Sequence, residues 1–377
     1  MAKATIHPNR GADQIRSLLA QPEIACLVAD LQATRWTGRR GYPVRTMVGM
    51  VLVKSLYVLP TWTRAVALVA EHDALQAAVG CAGDVPSIDA CYRFTKKLRA
   101  HKGLLDACIA SVIISLKDEF PGFGEHIAID GSDLPAYANG QRYLSNKSKV
   151  LRQKYSDPDA SWGHRSAIST RKGGGFYGYK IHAAVCTTTG LPVAWETHTA
   201  KDAEVPVVPD LLDALKGYGL PVPLTLAMDR GYDAGDLYDE CESRGIRPIV
   251  PLRETPFVKQ GKADPPKCDH GTWTFAGSDT KRGAAKYRCP TGECSPGSVW
   301  VKADRLHTLI PRESKRWKDL YCGRAAVERE FGTLKHRWAL LPLRTRTLAR
   351  VGLHVDLTIL ARLASALADS RTVPLAA

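Results

Sequence analysis

Two segments of this chain share one design. His126-Ile-Ala-Ile-Asp130-Gly and Leu224-Thr-Leu-Ala-Met-Asp229-Arg-Gly are each a short apolar run that ends in aspartate, with a glycine just beyond. An apolar run of that length bounded by glycine reads as a strand buried on both faces. Two such strands restrict the chain to an α/β layout whose sheet is covered on both sides. Each aspartate is then expected to end its strand and emerge at the sheet edge.

A third acid lies as far again along the chain. Asp130, Asp229 and Glu328 are separated by 99 residues in each interval. Glu328 falls in a segment that reads as one helix, with Tyr321, Arg324 and Lys335 at offsets that place all four side chains within an arc of about 60°. Val327, Phe331, Leu334 and Trp338 form the adjoining apolar stripe, so this helix has a side to bury and a polar set at its edge. Arg324 and Glu328 also have the spacing of an ordinary surface ion pair, and the segment alone fits either a solvated face or a site. If the two strand-end aspartates meet Glu328, three like charges at one point need a counter-cation. Oxygen ligands without His or Cys favour Mg²⁺ or Mn²⁺ over zinc.

With these residues in view, the chain resembles a bacterial insertion-sequence DDE transposase of the cut-and-paste group that carries a Y-(2)-R-(3)-E-(6)-K signature. Tyr321, Arg324, Glu328 and Lys335 match all four positions at full spacing. Asp130-Gly131 matches the first-acid motif, and Asp229-Arg230-Gly231-Tyr232-Asp233 resembles the second; the likeness covers roughly residues 40 to 365. The resemblance implies an RNase H-like mixed sheet, an N-terminal all-helical domain that binds DNA, and a small strand-rich insertion. It implies catalytic and metal-binding roles for Asp130, Asp229 and Glu328 around two Mg²⁺ (or Mn²⁺) ions, and DNA contacts from Tyr321, Arg324 and Lys335. The expected partners are double-stranded DNA at the element's terminal inverted repeats and target DNA, engaged by a homodimer.

Charge placement agrees with a nucleic-acid partner. The formal net charge is +14 and the pI near 9.3. Residues 140 to 180 hold nine Lys/Arg against two Asp, and residues 312 to 350 hold eleven against four acids. Each segment contributes +7, so together they account for the whole excess, beside the first and third acids. A solubility charge would be spread more evenly.

At 377 residues the chain exceeds one usual core, and the expected division is 1–120 helical and DNA-binding, 121–254 the first part of the catalytic core, 255–305 the insertion, and 306–377 the C-terminal helices of the core. Apolar periodicity predicts helices over 14–31, 44–58, 63–79 and 87–101. In the last, Cys91, Phe94 and Leu98 make an apolar stripe, Ser87 is an N-cap, and Arg93, Lys96 and Lys97 are candidate DNA contacts. The same basic residues fit a bundle whose charges merely face solvent. Beyond the first strand, a long basic loop leads to strands over 177–186 and 192–199, a helix over 204–216, a strand over 224–228, a helix over 236–243 and a strand over 246–252.

The insertion holds Cys268, His270, Cys289 and Cys294, a Cys-x-His and Cys-x4-Cys set. Structural zinc and a small β insert with reduced cysteines both fit, because the spacing departs from the usual two-residue gaps. The remaining cysteines, mostly isolated within apolar helices or strands (Cys26, Cys91, Cys108, Cys186), read as reduced core residues of a cytosolic protein, and the resemblance implies a cytoplasmic, nucleoid-associated place in a bacterium. No signal or membrane pattern is read in the first residues or in 47–62, which Lys54 and Pro60 interrupt. Asp133 and Asp233 read as caps of their own backbone, Asp202 and Glu204 as a helix start, His126 as packed, Gly173 to Gly175 as a hinge, and Trp162, Trp195 and Trp317 as core aromatics. Two rivals remain: a domesticated transposase-derived DNA-binding or nuclease protein, and a two-carboxylate glycosidase, for which 7% aromatic content is thin.

Overall fold

The computed structural model describes residues 8–34, 41–141, 150, 155–165 and 172–372. Seven helices come first: α1 (Pro8–Ala20), α2 (Pro22–Ala33), α3 (Val44–Leu56), α4 (Trp62–Glu71), α5 (Asp73–Val79), α6 (Ile88–Ala100) and α7 (Lys102–Glu119). Two of the expected helices are each split. The run over 14–31 breaks at Gln21, whose extended backbone precedes Pro22; proline has no N–H to continue α1 but is well placed at the first position of α2. The run over 63–79 breaks at His72, also extended, which turns α5 onto α1. α3 is buried almost all round and is the pillar of this half. Thr61 and Ser87 cap α4 and α6 by accepting from the backbone N–H of Arg64 and Ala90.

The main sheet follows. β1 (His126–Pro135), β2 (Ser161–Arg165), β3 (Gly174–Cys186), β4 (Pro192–Thr199), β5 (Thr225–Ala227) and β6 (Arg247–Ile249) form six strands, with α8 (Val207–Gly217) before β5 and α9 (Gly235–Ser243) before β6. The path is β2-β3-β1-β5-β6, and β4 pairs with the same edge of β3 that β2 uses further along. β1, β3 and β4 are antiparallel; β1, β5 and β6 are parallel. Gly178 sits where β1, β2 and β3 cross closely, and a Cβ there would lie 2.3 Å from the Leu134 carbonyl. Neither β2 nor the entry of Gly174 and Gly175 into β3 is foreseen by the basic-loop and hinge readings. β2 recruits these glycines into ladder pairs with His164 and Arg165. Of the nine basic residues in 140–180, Arg142, Lys147, Lys149, Arg152, Lys154 and Arg171 lie outside the described residues.

The insertion carries α10 (Pro256–Lys259), the small ribbon β7 (Lys267–Cys268) and β8 (Gly271–Thr272), and a three-stranded sheet of β9 (Thr274–Asp279), β10 (Ala284–Arg288) and β11 (Ser298–Lys302). It has a separate small core of Trp273, Ala285, Tyr287 and Cys289. Helices α11 (Lys315–Cys322), α12 (Ala325–Arg337) and α13 (Leu348–Thr372) close the chain. α13 is long and apolar because it is packed: its buried residues include Val351, Val355, Ile359, Leu363 and Leu367, and it meets α3, α7 and β4. One continuous apolar core thus joins the N-terminal helices, the main sheet and α13.

Candidate active site

Asp130 and Asp229 leave the sheet side by side. The parallel pairing of β1 with β5 runs His126 to Thr225, Ile127 to Leu226 and Ala128 to Ala227, so each aspartate stands two residues past the same ladder rung. Side chains two apart share a face. Only the β1–β5 pairing stops there. β1 itself continues to Pro135, paired with β3 at every residue, which corrects the expectation that the strand ends at Asp130. The polar Ser132 and Asp133 hide this extension from an apolar-run reading.

The C-terminal signature is not carried by one regular helix. α11 stops at Cys322 and α12 starts at Ala325; between them Gly323 and Arg324 keep αR backbone but bond in the tighter i to i−3 pattern. Arg324 at this joint donates from Nη1 to Asp130 Oδ2 (3.1 Å) and from Nη2 to Glu328 Oε1 (2.5 Å). One guanidinium therefore holds the first and third acids together. Tyr321 backs it: its ring stacks on Trp317 at 5.0 Å, and the guanidinium lies 5.9 Å above its centroid. Lys335 donates to Ser132 Oγ (2.8 Å) and lies 3.5 Å from Asp133 Oδ1, further along β1. Arg324 and Lys335 thus clamp α12 to β1.

Electrostatics mark the cluster as short of positive charge. Burial, then the neighbouring Asp229 carboxylate, push Asp130 up to about 7, even though its Oδ1 accepts from the Gly131 N–H (2.8 Å). Asp229 accepts from Gly231 N–H at 2.6 Å. The buried Tyr232 hydroxyl has no hydrogen-bond partner among the described residues, and burial, with Asp130, Glu204 and Asp229 around it, raises its pKa well above the usual phenol range. Glu204 is a fourth carboxylate that the sequence reading assigned only to a helix start. It is bonded by Lys180 Nζ at 2.9 Å, and a Cβ on Gly131 would come within 3.4 Å of its Oε1. No motif flags it; the β3 partner Lys180 is the one signal, visible only once register is known. Asp130, Asp229 and Glu204 supply oxygen donors of the kind a hard divalent cation prefers, and Arg324 supplies the positive charge that bridges Asp130 to Glu328.

The neighbouring residues separate into supports and surfaces. Asp133 and Asp233 are not backbone caps of themselves. Asp133 pairs with Arg165 (3.0 Å), and the fully buried Asp233 takes both Arg305 nitrogens and the Arg253 backbone N–H (2.7 Å). Trp195 bonds Asp356 (2.9 Å) and Trp317 is buried, whereas Trp162 is exposed, against the core reading. Trp162, His164, Lys180, Lys201, Glu204, Gly231 and Arg253 line an open cleft of about 670 Å³. A second cleft of about 570 Å³ lies between α3, α6, the chain before α13 and the start of α13, lined by Lys54, Arg93, Lys96, Arg99, Arg344 and Arg350 with Tyr92 and Tyr137. Lys97 is elsewhere, donating to the Leu31 carbonyl at 2.7 Å.

The sequence profile of the transposase DDE domain matches residues 121–364, from the turn before β1 to well into α13. This chain belongs to the transposase DDE domain family. Members of the family normally use divalent metal ions, which the carboxylate set here suits. No curated protein matched the chain by sequence. Among solved structures, a cryo-EM structure described as a piggyBac transposase synaptic complex with hairpin DNA aligns at 12% identity and a TM-score of 0.46, over 98% of this chain and 76% of that one.

Proposed function

We propose that this family member is a bacterial insertion-sequence transposase of the Y-R-E-K type, which binds the element's ends and catalyses Mg²⁺-dependent strand cleavage and strand transfer through Asp130, Asp229 and Glu328. The observation that carries this reading is the in-register exit of Asp130 and Asp229 from adjacent parallel strands, with Arg324 joining Asp130 to Glu328. The strand order, an antiparallel β1-β3-β4 set continued by parallel β5 and β6, supports an RNase H-like core. On this reading 1–120 form the DNA-binding unit, 121–254 and 306–377 the core, and 255–305 the insertion, in a dimer acting at the bacterial nucleoid.

Asp130, Asp229 and Glu328 would hold two Mg²⁺ ions, whose chemistry is to lower the pKa of an attacking oxygen and stabilise the leaving one. The chain's own residues do the rest. Arg324 turns from its two carboxylates towards a phosphate, for which its planar fork is suited, while the Tyr321 ring fixes its plane. Lys335 keeps α12 seated on β1, so its part is to position Glu328 as much as to attract DNA. Arg93 and Lys96 face the second cleft. Lys54 in its wall is pushed down to about 8 by burial and has no carboxylate within ion-pair distance among the described residues. A phosphate lodged there restores its full charge. Incubating the purified chain with end-labelled duplexes of the element termini and Mg²⁺ tests the proposal. Nicking or double-strand cleavage at the end is expected; tight, specific binding with no cleavage in Mg²⁺ or Mn²⁺ would replace it with the domesticated DNA-binding reading.

A further inference from the structure

We infer that the insertion is a zinc-stapled module, in which Cys268 Sγ, His270 Nδ1, Cys289 Sγ and Cys294 Sγ bind one structural Zn²⁺. These four atoms all lie within 4.8 Å of one another, although their residues come from two separate turns. Cys268 ends β7 and His270 sits in the turn to β8; Cys289 follows β10 and Cys294 lies on the way to β11. Three of the six distances between ligand atoms lie within about 0.4 Å of the edges of a zinc coordination tetrahedron, and all six are within 4.8 Å. Zinc bonds of about 2.3 Å to sulfur and about 2.0 Å to nitrogen at tetrahedral angles require S···S edges of about 3.8 Å and S···N edges of about 3.5 Å. Here Cys268 Sγ and Cys289 Sγ are 3.9 Å apart, Cys289 Sγ and His270 Nδ1 3.9 Å, and Cys294 Sγ and His270 Nδ1 3.5 Å.

A disulfide does not explain this arrangement, since 3.9 Å is nearly twice a sulfur–sulfur bond and a third thiol and an imidazole share the point. The outer contacts also suit a metal. His270 places its other nitrogen, Nε2, 3.1 Å from Glu293 Oε2, the carboxylate contact that orients a ligating imidazole. Glycine at 271 (φ +118°) and 292 (φ +76°) makes both ligand turns possible in a left-handed or open conformation. Three soft sulfurs and one nitrogen select Zn²⁺ over the hard cations suited to the carboxylate cluster, and a complete set of four protein ligands leaves no position for substrate.

The module needs a staple. Its separate core is four buried residues with a few partly buried neighbours, too little apolar area to hold the insertion together. Its two stalks end at the catalytic loop: Arg253 donates to the Arg230 and Gly231 carbonyls, and Arg305 grips Asp233. Metal loading therefore sets the shape of a domain that is anchored four residues from Asp229.

The test is metal analysis and cobalt spectroscopy on the full chain, neither of which depends on DNA cleavage. Wild type purified without chelator should carry about one zinc per chain, and Cys289→Ser and Cys294→Ser below a tenth of that, while Cys322→Ser, at an exposed thiol outside the cluster, keeps its zinc. Where a variant fails to fold, the wild type itself decides. After zinc removal and Co²⁺ addition it should show intense visible bands and thiolate-to-metal absorption of a tetrahedral S₃N site. Wild type that neither contains zinc nor gives that spectrum with Co²⁺ would overturn the inference.

Discussion

The carboxylate cluster and the Cys/His cluster solve the same problem, converging ligands, in opposite ways. Asp130, Asp229 and Glu328 come from three segments separated by 99 residues each, and the sheet and α12 must form before they meet. Cys268, His270, Cys289 and Cys294 lie within one short insertion and gather across two turns. In the first set burial, and after it the neighbouring Asp229 carboxylate, push Asp130 up to about 7, and Arg324 bridges Asp130 to Glu328. The second is compact, with all four ligand atoms within 4.8 Å of one another. On the two proposals, a globally built oxygen site would stay open for chemistry, whereas a local sulfur site would close to give structure.

The largest effect that would break this contrast is chemical. Asp229→Asn should cut strand cleavage by about a thousandfold or more, the loss of several kcal/mol of transition-state stabilisation, with an unchanged circular dichroism spectrum. Cleavage within tenfold of wild type would remove Asp229 from the site. Asp233→Asn should do the reverse. Its carboxylate is wholly buried against Arg305, so the variant should lose about 3–5 kcal/mol in a denaturant titration. A loss under 1 kcal/mol would mean that the insertion's stalk is not anchored there.

A pH dependence sharpens the comparison next. His182, under Gly131, is buried with neither ring nitrogen hydrogen-bonded among the described residues, and burial lowers it to about 4; Glu204, His198, Lys180 and Asp202 are the titratable groups around it. The folded chain keeps it neutral while the unfolded chain protonates it near 6.5. Its contribution is therefore full above pH 6.5 and is lost as pH falls towards 4, about 3 kcal/mol in all. His182→Leu should flatten the stability curve in that window; an unaltered slope contradicts the assignment. Arg324→Ala should destabilise the cation-free protein by about 1–3 kcal/mol and enlarge the melting-temperature rise on adding Mg²⁺, because the arginine competes with the ion. A smaller Mg²⁺ response than wild type would argue that Arg324 helps to hold the ion. The smallest effect is expected at Lys96→Ala, a reduction of about one unit in the slope of log affinity against log salt for end DNA, with no change for Lys97→Ala.

What could be read before the fold was known follows the same division. The apolar run, aspartate and glycine pattern exposed Asp130 and Asp229 because a strand covered on both faces leaves no other place for a charge. Register could not be read, so the fourth acid, Glu204, passed as a helix start, and Ser132 and Asp133 concealed the second half of β1. Pro22 signals the α1–α2 break, but no residue type signals the one at His72, which packing of α5 on α1 decides. Helical spacing placed Arg324 and Glu328 within bonding reach of each other, while the 3₁₀ joint at Gly323 and Arg324, where Arg324 also meets Asp130, carries no residue-type signal. The Cys/His set had the right residue types in unfamiliar spacing, and only the distances between its ligand atoms give it meaning.

Mn²⁺ binding followed by electron paramagnetic resonance, with end DNA bound, tests the convergence of Asp130, Asp229 and Glu328 most directly. Wild type should take up Mn²⁺ at about two ions per chain. Asp130→Asn, Asp229→Asn and Glu328→Gln should each reduce that uptake, with Glu240→Gln, a surface carboxylate paired to Arg244, unaffected. Uptake equal to wild type in all three would contradict a shared cation site.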